Sequence, residues 1–114
     1  MKNKPYIFSG YKNVWLFVMF DLPVNTPKKR KIYSNFRNNL LKLGFTMLQY
    51  SIYAKFFPSM DASKSSISAI KTMLPPEGEV RLLFVTDKQF GKMEVFYGKT
   101  PKQPERPPPQ MLLF

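Results

Sequence analysis

The chain contains no cysteine and no histidine in 114 residues. Without cysteine there is no disulfide, no thiolate nucleophile and no Cys-based zinc or iron–sulfur site. Without histidine there is no imidazole base, no Ser-His-Asp triad and no His-ligated metal. Catalysis is left to carboxylates, Lys, Tyr, Ser or a metal held by oxygen ligands, which favours Mg, Mn or Ca. The five glycines are isolated, so there is no Gly-rich phosphate loop. Acids are scarce: seven against 18 Lys and Arg, a net charge of +11. Such an excess points to a polyanionic partner, a nucleic acid or a membrane surface. Long apolar runs are also missing. Val14–Phe20 (VWLFVMF) stops at Asp21-Leu22-Pro23, lacks a small-residue cleavage site and is far too short to cross a bilayer. A cytoplasmic protein with no membrane partner is therefore expected.

The length suits one domain with its own core. Residues 1–13 read as a basic, aromatic-spotted N-terminal arm and residues 14–98 as the folded domain. Val14–Phe20 predicts a strand buried on both faces. Thr26-Pro27 opens a helix, a capping hydroxyl followed by a proline whose missing N–H costs nothing there. Ile32, Phe36, Leu40 and Leu43 form its buried stripe, and Gly44 stops it. Phe45–Phe57 is strand-like and ends at Pro58, either one bent strand or two short ones meeting near Tyr50–Tyr53. Asp61–Leu74 reads as a second helix, Glu79–Thr86 as a strand, Asp87–Lys92 as a turn and Met93–Tyr97 as a half-buried strand. Thr100–Pro109 carries five of the eleven prolines and predicts an extended spacer. Residues 99–114 thus form a Pro-rich tail whose apolar end, Met111–Phe114, predicts a short docking strand. The order β-α-β-(β)-α-β-β predicts an α+β, ferredoxin-like β-α-β-β-α-β sandwich with helices on one sheet face and an extra C-terminal strand.

Three groups of residues could carry chemistry. Asp21 is the only acid before Asp61 and follows the most hydrophobic strand, at the carboxyl edge of the sheet where ligand sites gather. The competing reading is a side chain that caps the turn. One carboxylate holds a divalent cation weakly. A twofold dimer that set two Asp21 side chains face to face would create an acidic pocket whose repulsion a cation relieves. The second group is Lys28, Lys29, Arg30 and Lys31, in the first turn of the first helix. Cations there oppose the helix dipole by roughly 0.3–1 kcal/mol each. Their placement therefore predicts phosphate binding, extended by Arg37 two turns along, over a merely solvated face. The third group is Tyr33, Phe36, Tyr50, Tyr53, Phe56 and Phe57, which could stack on unpaired bases or simply fill the core. Ser51 has no base beside it in sequence and is not read as a nucleophile, and Asp87 reads as a turn residue.

Several segments together resemble the small CRISPR-associated adaptation nucleases. They are Val14–Phe20 with Asp21-Leu22-Pro23, Arg30-Lys31, Phe36-Arg37, Gly44-Phe45, Met47–Tyr53, Leu74-Pro75-Pro76, Val80-Arg81 and Val85–Phe90. The resemblance implies a ferredoxin-like homodimer that bridges two dimers of the CRISPR integrase during spacer acquisition, where its role is structural. It also implies an Mg- or Mn-dependent endonuclease acting on single-stranded RNA or duplex DNA, with Asp21 as the catalytic, metal-binding aspartate. The chain departs from the family in having Phe20 where Tyr is common and mainly Lys where Arg is common. Lysine meets phosphate as a point charge without the guanidinium fork. The alternative is a ferredoxin-like RNA-binding module without catalysis, which reads bases from exposed sheet aromatics and has no need of Asp21.

Overall fold

The computed structural model describes residues 11–108. Four strands form one antiparallel sheet: β1 (Lys12–Asp21), β2 (Thr46–Gln49), β3 (Ile52–Ser59) and β4 (Glu79–Thr86), in the order β2-β3-β1-β4. This is the expected ferredoxin-like arrangement, with the most hydrophobic strand in a central position. The strand begins two residues inside the segment predicted to be an arm; residues 1–10 lie outside those described.

Helix α1 (Pro27–Lys42) starts where Thr26 and Pro27 predicted. The Thr26 hydroxyl accepts the Lys29 backbone N–H at 3.1 Å. The helix ends at Leu43, and Gly44 follows with φ +93°. A 3-10 turn (Asp61–Ser63) leads into α2 (Lys64–Thr72). Both helices cover one sheet face. Phe36 and Leu40 of α1 and Ile70 of α2 bury against Val14, Leu16, Val18 and Phe20, the side chains that alternation sends to that face. Each such burial contributes roughly 1.5–3 kcal/mol. Tyr33 also belongs to the buried stripe of α1, a position that the apolar pattern alone passed over.

The opposite face carries Trp15, Phe17, Met19 and Asp21 of β1, and the C-terminal segment crosses it. The segment predicted to be a turn is a short helix, α3 (Asp87–Gly91). Its start is a capping box: the Thr86 hydroxyl accepts the Gln89 N–H, and the Gln89 side chain accepts the Thr86 N–H. Phe90 of α3 stacks flat on Trp15 at 4.0 Å between ring centroids. Asp87 accepts a hydrogen bond from the Trp15 indole N–H at 2.8 Å. The last predicted strand forms as β5 (Val95–Tyr97), but it pairs outside the main sheet, with β6 (Thr100–Lys102). Part of the supposed spacer is therefore a strand. Pro101 has no N–H to donate, yet a two-stranded ribbon has an outer edge where none is required. Met111–Phe114, the predicted docking strand, lies outside the described residues.

Candidate nucleic-acid and metal site

Along β1 the residues at odd positions face away from α1 and α2, so the strand ends by presenting Asp21 on the open sheet face. Asp21 is exposed, and its carboxylate accepts no hydrogen bond from another described residue. It does not cap the turn that follows. Its direct partner in the β1–β4 ladder is Glu79, which sequence reasoning passed over because only strand register brings the two together. Arg81 faces Met19 two residues further along β4, and its guanidinium donates to Glu79 at 3.1 Å. Glu79 is thus committed to an arginine, whereas Asp21 is not. Asp21, Glu79, Arg81, Tyr50 and Ser51 share a shallow depression of about 280 Å3.

Backbone packing fixes the approach to Asp21. Gly78 has φ +94°, and a Cβ there would lie 2.6 Å from the Asp21 carbonyl oxygen. On the other side, the two-residue turn Tyr50-Ser51 joins β2 to β3, which resolves the Phe45–Phe57 region into two strands. Ser51 is left-handed, with φ 67°, which costs a non-glycine residue about 1–2 kcal/mol. Two hydrogen bonds hold it there. Its carbonyl accepts the Phe20 N–H at 3.0 Å, and its hydroxyl lies 2.8 Å from the Tyr33 hydroxyl.

The basic run occupies a different part of the molecule, the helix layer. No acid is present in the first turn of α1. Lys29 turns to Glu77 at 3.3 Å, and Arg30 curls back to donate to the Val24 carbonyl at 3.0 Å. Lys28 and Lys31 are exposed and make no ion pair among the described residues. Arg37 is half-buried and reaches only Asn38, at 3.4 Å. The four residues of the run are therefore together, but two are partly engaged, and Asp21 is not among them.

The acids are unevenly divided between the two layers. Asp21, Glu79, Asp87, Glu94 and Glu105, five of the seven acids, lie on the open face or in the grooves over it. The helix layer exposes Lys28, Lys31 and Lys42 of α1 with Lys64 and Lys71 of α2. Of the six candidate stacking aromatics, Tyr33, Phe36, Tyr53, Phe56 and Phe57 are buried, and Tyr50 alone is exposed. Trp15 and Phe56 lie beneath α3, so the sheet does not offer the aromatic platform that the RNA-module alternative needs.

The residues fit a hydrated magnesium or manganese ion. Such ions keep several waters and take one or two carboxylates together with substrate phosphate. No cluster of three acids is present among the described residues, and Asp21 is the one carboxylate at this edge that no cation engages. No described helix is long and apolar enough to cross a membrane.

Comparison with known proteins bears on this geometry. Three relatives are each named CRISPR-associated endoribonuclease Cas2. That of Flavobacterium psychrophilum is 45% identical over 91% of this chain and 90% of its own. That of Parvibaculum lavamentivorans is 43% identical over 89% of this chain and all of its own. That of Campylobacter jejuni is 48% identical over 73% of this chain and 58% of its own. The model of the CRISPR associated protein Cas2 family matches residues 14–93, which take in the main sheet from Val14 onward, helices α1 to α3 and Asp21. The chain belongs to the CRISPR-associated Cas2 family.

Proposed function

We propose that the chain is a homodimeric subunit of CRISPR adaptation that grips duplex DNA by its phosphates and bridges the integrase dimers that insert new spacers. The observation that carries this reading is the start of α1, where Lys28 and Lys31 have no ion-pair partner among the described residues, in a helix turn without an acid. That arrangement opposes the helix dipole and is useful only when an anion is present. The remaining cations of the helix layer extend the same surface. Most of the acids lie on the other side, so the layer meets DNA without self-repulsion.

The open face suits a second copy. Phe17, Met19, Ile52, Leu83 and Phe96 line an apolar groove of about 540 Å3 there. Two copies packed on that face about a twofold axis bring their Asp21 side chains toward each other, at the end of β1. A divalent ion between them would neutralise charge and activate water for phosphodiester hydrolysis. In that reaction the chain's own residues hold the carboxylates in place, and Arg81 stays paired with Glu79 beside them. The names of the relatives extend this reading to RNA as a substrate.

The test compares two variants for DNA affinity, hydrolysis and spacer acquisition. Replacing Lys28, Lys29, Arg30 and Lys31 with Ala weakens duplex binding and makes the salt slope shallower by about 0.9 for each phosphate that is no longer neutralised. Asp21→Ala abolishes metal-dependent hydrolysis and leaves duplex affinity and acquisition intact. Unchanged affinity in the first variant, loss of acquisition in the second, or a monomeric native chain overturns the reading.

A further inference from the structure

We infer that Tyr50 is a stacking platform for an unpaired nucleobase, set on the rim of the Asp21 depression; this rests on the reading that nucleic acid is the ligand there. Tyr50 is 75% exposed, at a turn position that small polar residues and glycine usually fill. One face of its ring lies on Tyr33, with centroids 5.5 Å apart and planes within 20°. The other face has no aromatic partner among the described residues. The backing ring is itself anchored: Tyr33 is buried, and its hydroxyl is hydrogen-bonded to the Ser51 hydroxyl.

The strained turn completes the device. Ser51 holds a left-handed backbone, and its carbonyl accepts the N–H of Phe20, the residue just before Asp21. The turn is thereby fastened to the strand that carries the carboxylate. The ring and Asp21 keep a set relation, so a base that stacks on Tyr50 loses little freedom on the protein side. Arg81, paired with Glu79, lies on the same rim. Within a duplex both faces of a base are already stacked, so the ligand class is a single-stranded or unpaired nucleotide.

The experiment titrates the full chain at low salt with a labelled short single strand and with a matched blunt duplex. Tyr50→Ala weakens single-strand binding about tenfold, while duplex affinity, read at the lysine surface, is unchanged. Tyr50→Phe keeps the ring and keeps both affinities. Tyr50→Trp adds a reporter whose emission is quenched by the single strand, whereas Trp15, covered by Phe90, is silent in the native chain. An undiminished single-strand affinity in Tyr50→Ala, an equal loss on both forms, or an unquenched Tyr50→Trp overturns the inference and leaves the platform reading standing. Failure of the native chain to bind either form overturns both.

Discussion

Asp21 and Glu79 stand directly opposite each other across the β1–β4 ladder, on the same side of the sheet. Like charges in that position are destabilising, and Arg81 compensates only Glu79. Asp21→Asn therefore raises stability by about 0.2–1 kcal/mol, measured by urea unfolding at low salt, and the gain shrinks as salt is added. Magnesium raises the melting midpoint of the native chain and not that of the variant. A loss of stability in the variant would show that the Asp21 carboxylate makes a stabilising contact.

Gly78 is the second point at which the site can be probed. An added Cβ meets the Asp21 carbonyl oxygen at 2.6 Å and the Leu22 side chain at 2.8 Å, in a backbone conformation that L-residues avoid. Gly78→Ala costs more than about 1 kcal/mol and displaces Asp21, so stability and hydrolysis fall together. Gly91→Ala, where the added carbon meets nothing within 4 Å beyond its chain neighbours and its own helix backbone, is the control and leaves both unchanged.

The Trp15 indole N–H donates to Asp87 under the stacked Phe90 ring. Asp87→Ala leaves that buried donor without its partner and costs about 1–3 kcal/mol. Phe90→Ala costs more, roughly 3–5 kcal/mol, because it also opens a cavity. In Phe90→Ala the Trp15 emission shifts to the red, since the only tryptophan in the chain loses its cover. Unshifted emission in Phe90→Ala would mean that α3 does not shield the ring.

Tyr53 is fully buried, and its hydroxyl has no hydrogen-bond partner among the described residues. Tyr53→Phe removes an unsatisfied polar group and is neutral or stabilising, by up to about 1 kcal/mol. Tyr33→Phe has the opposite sign at neutral pH, because it strands Ser51 in its strained turn. Thermal unfolding of the two variants, side by side, checks the contrast.

Burial holds the Tyr33 phenol above the usual tyrosine range, against the opposing pull of its bond to Ser51. The folded chain therefore keeps this proton more firmly than the unfolded chain does. The resulting stability is complete below pH ~10 and is lost as pH rises through the folded value. Urea midpoints taken from neutral into alkaline pH fall less steeply in Tyr33→Phe than in the native chain.

Where structural signals were local, the sequence carried them. Thr26-Pro27 and Gly44 bound α1, and Glu79–Thr86 is the strand that its residues predicted. Asp21 stood out because a lone acid ended an apolar strand. The β2–β3 turn was not legible, since neither Tyr50 nor Ser51 is a strong turn former and the support for Ser51 comes from α1, far away in sequence. Helix α3 had a visible sign, the Thr86-x-x-Gln89 capping box, which the short polar segment obscured. Glu79 could not be placed beside Asp21 without the register of strands separated by most of the domain. The helix dipole marks the lysine run, but no local signal shows that Glu77 and the Val24 carbonyl engage two of its members.

The order β2-β3-β1-β4 gives the sheet two unlike margins. On one, β2 is four residues long and broken by a register shift, a poor template for further pairing. On the other, β4 runs eight residues with an unbroken register and exposes Leu82 and Leu83. Among the described residues no strand pairs with the outer side of β4, and a strand added by another molecule fits better there than beside β2. Two copies that each filled the other's β4 margin would use up both, and growth would halt at two molecules instead of running on into a fibre.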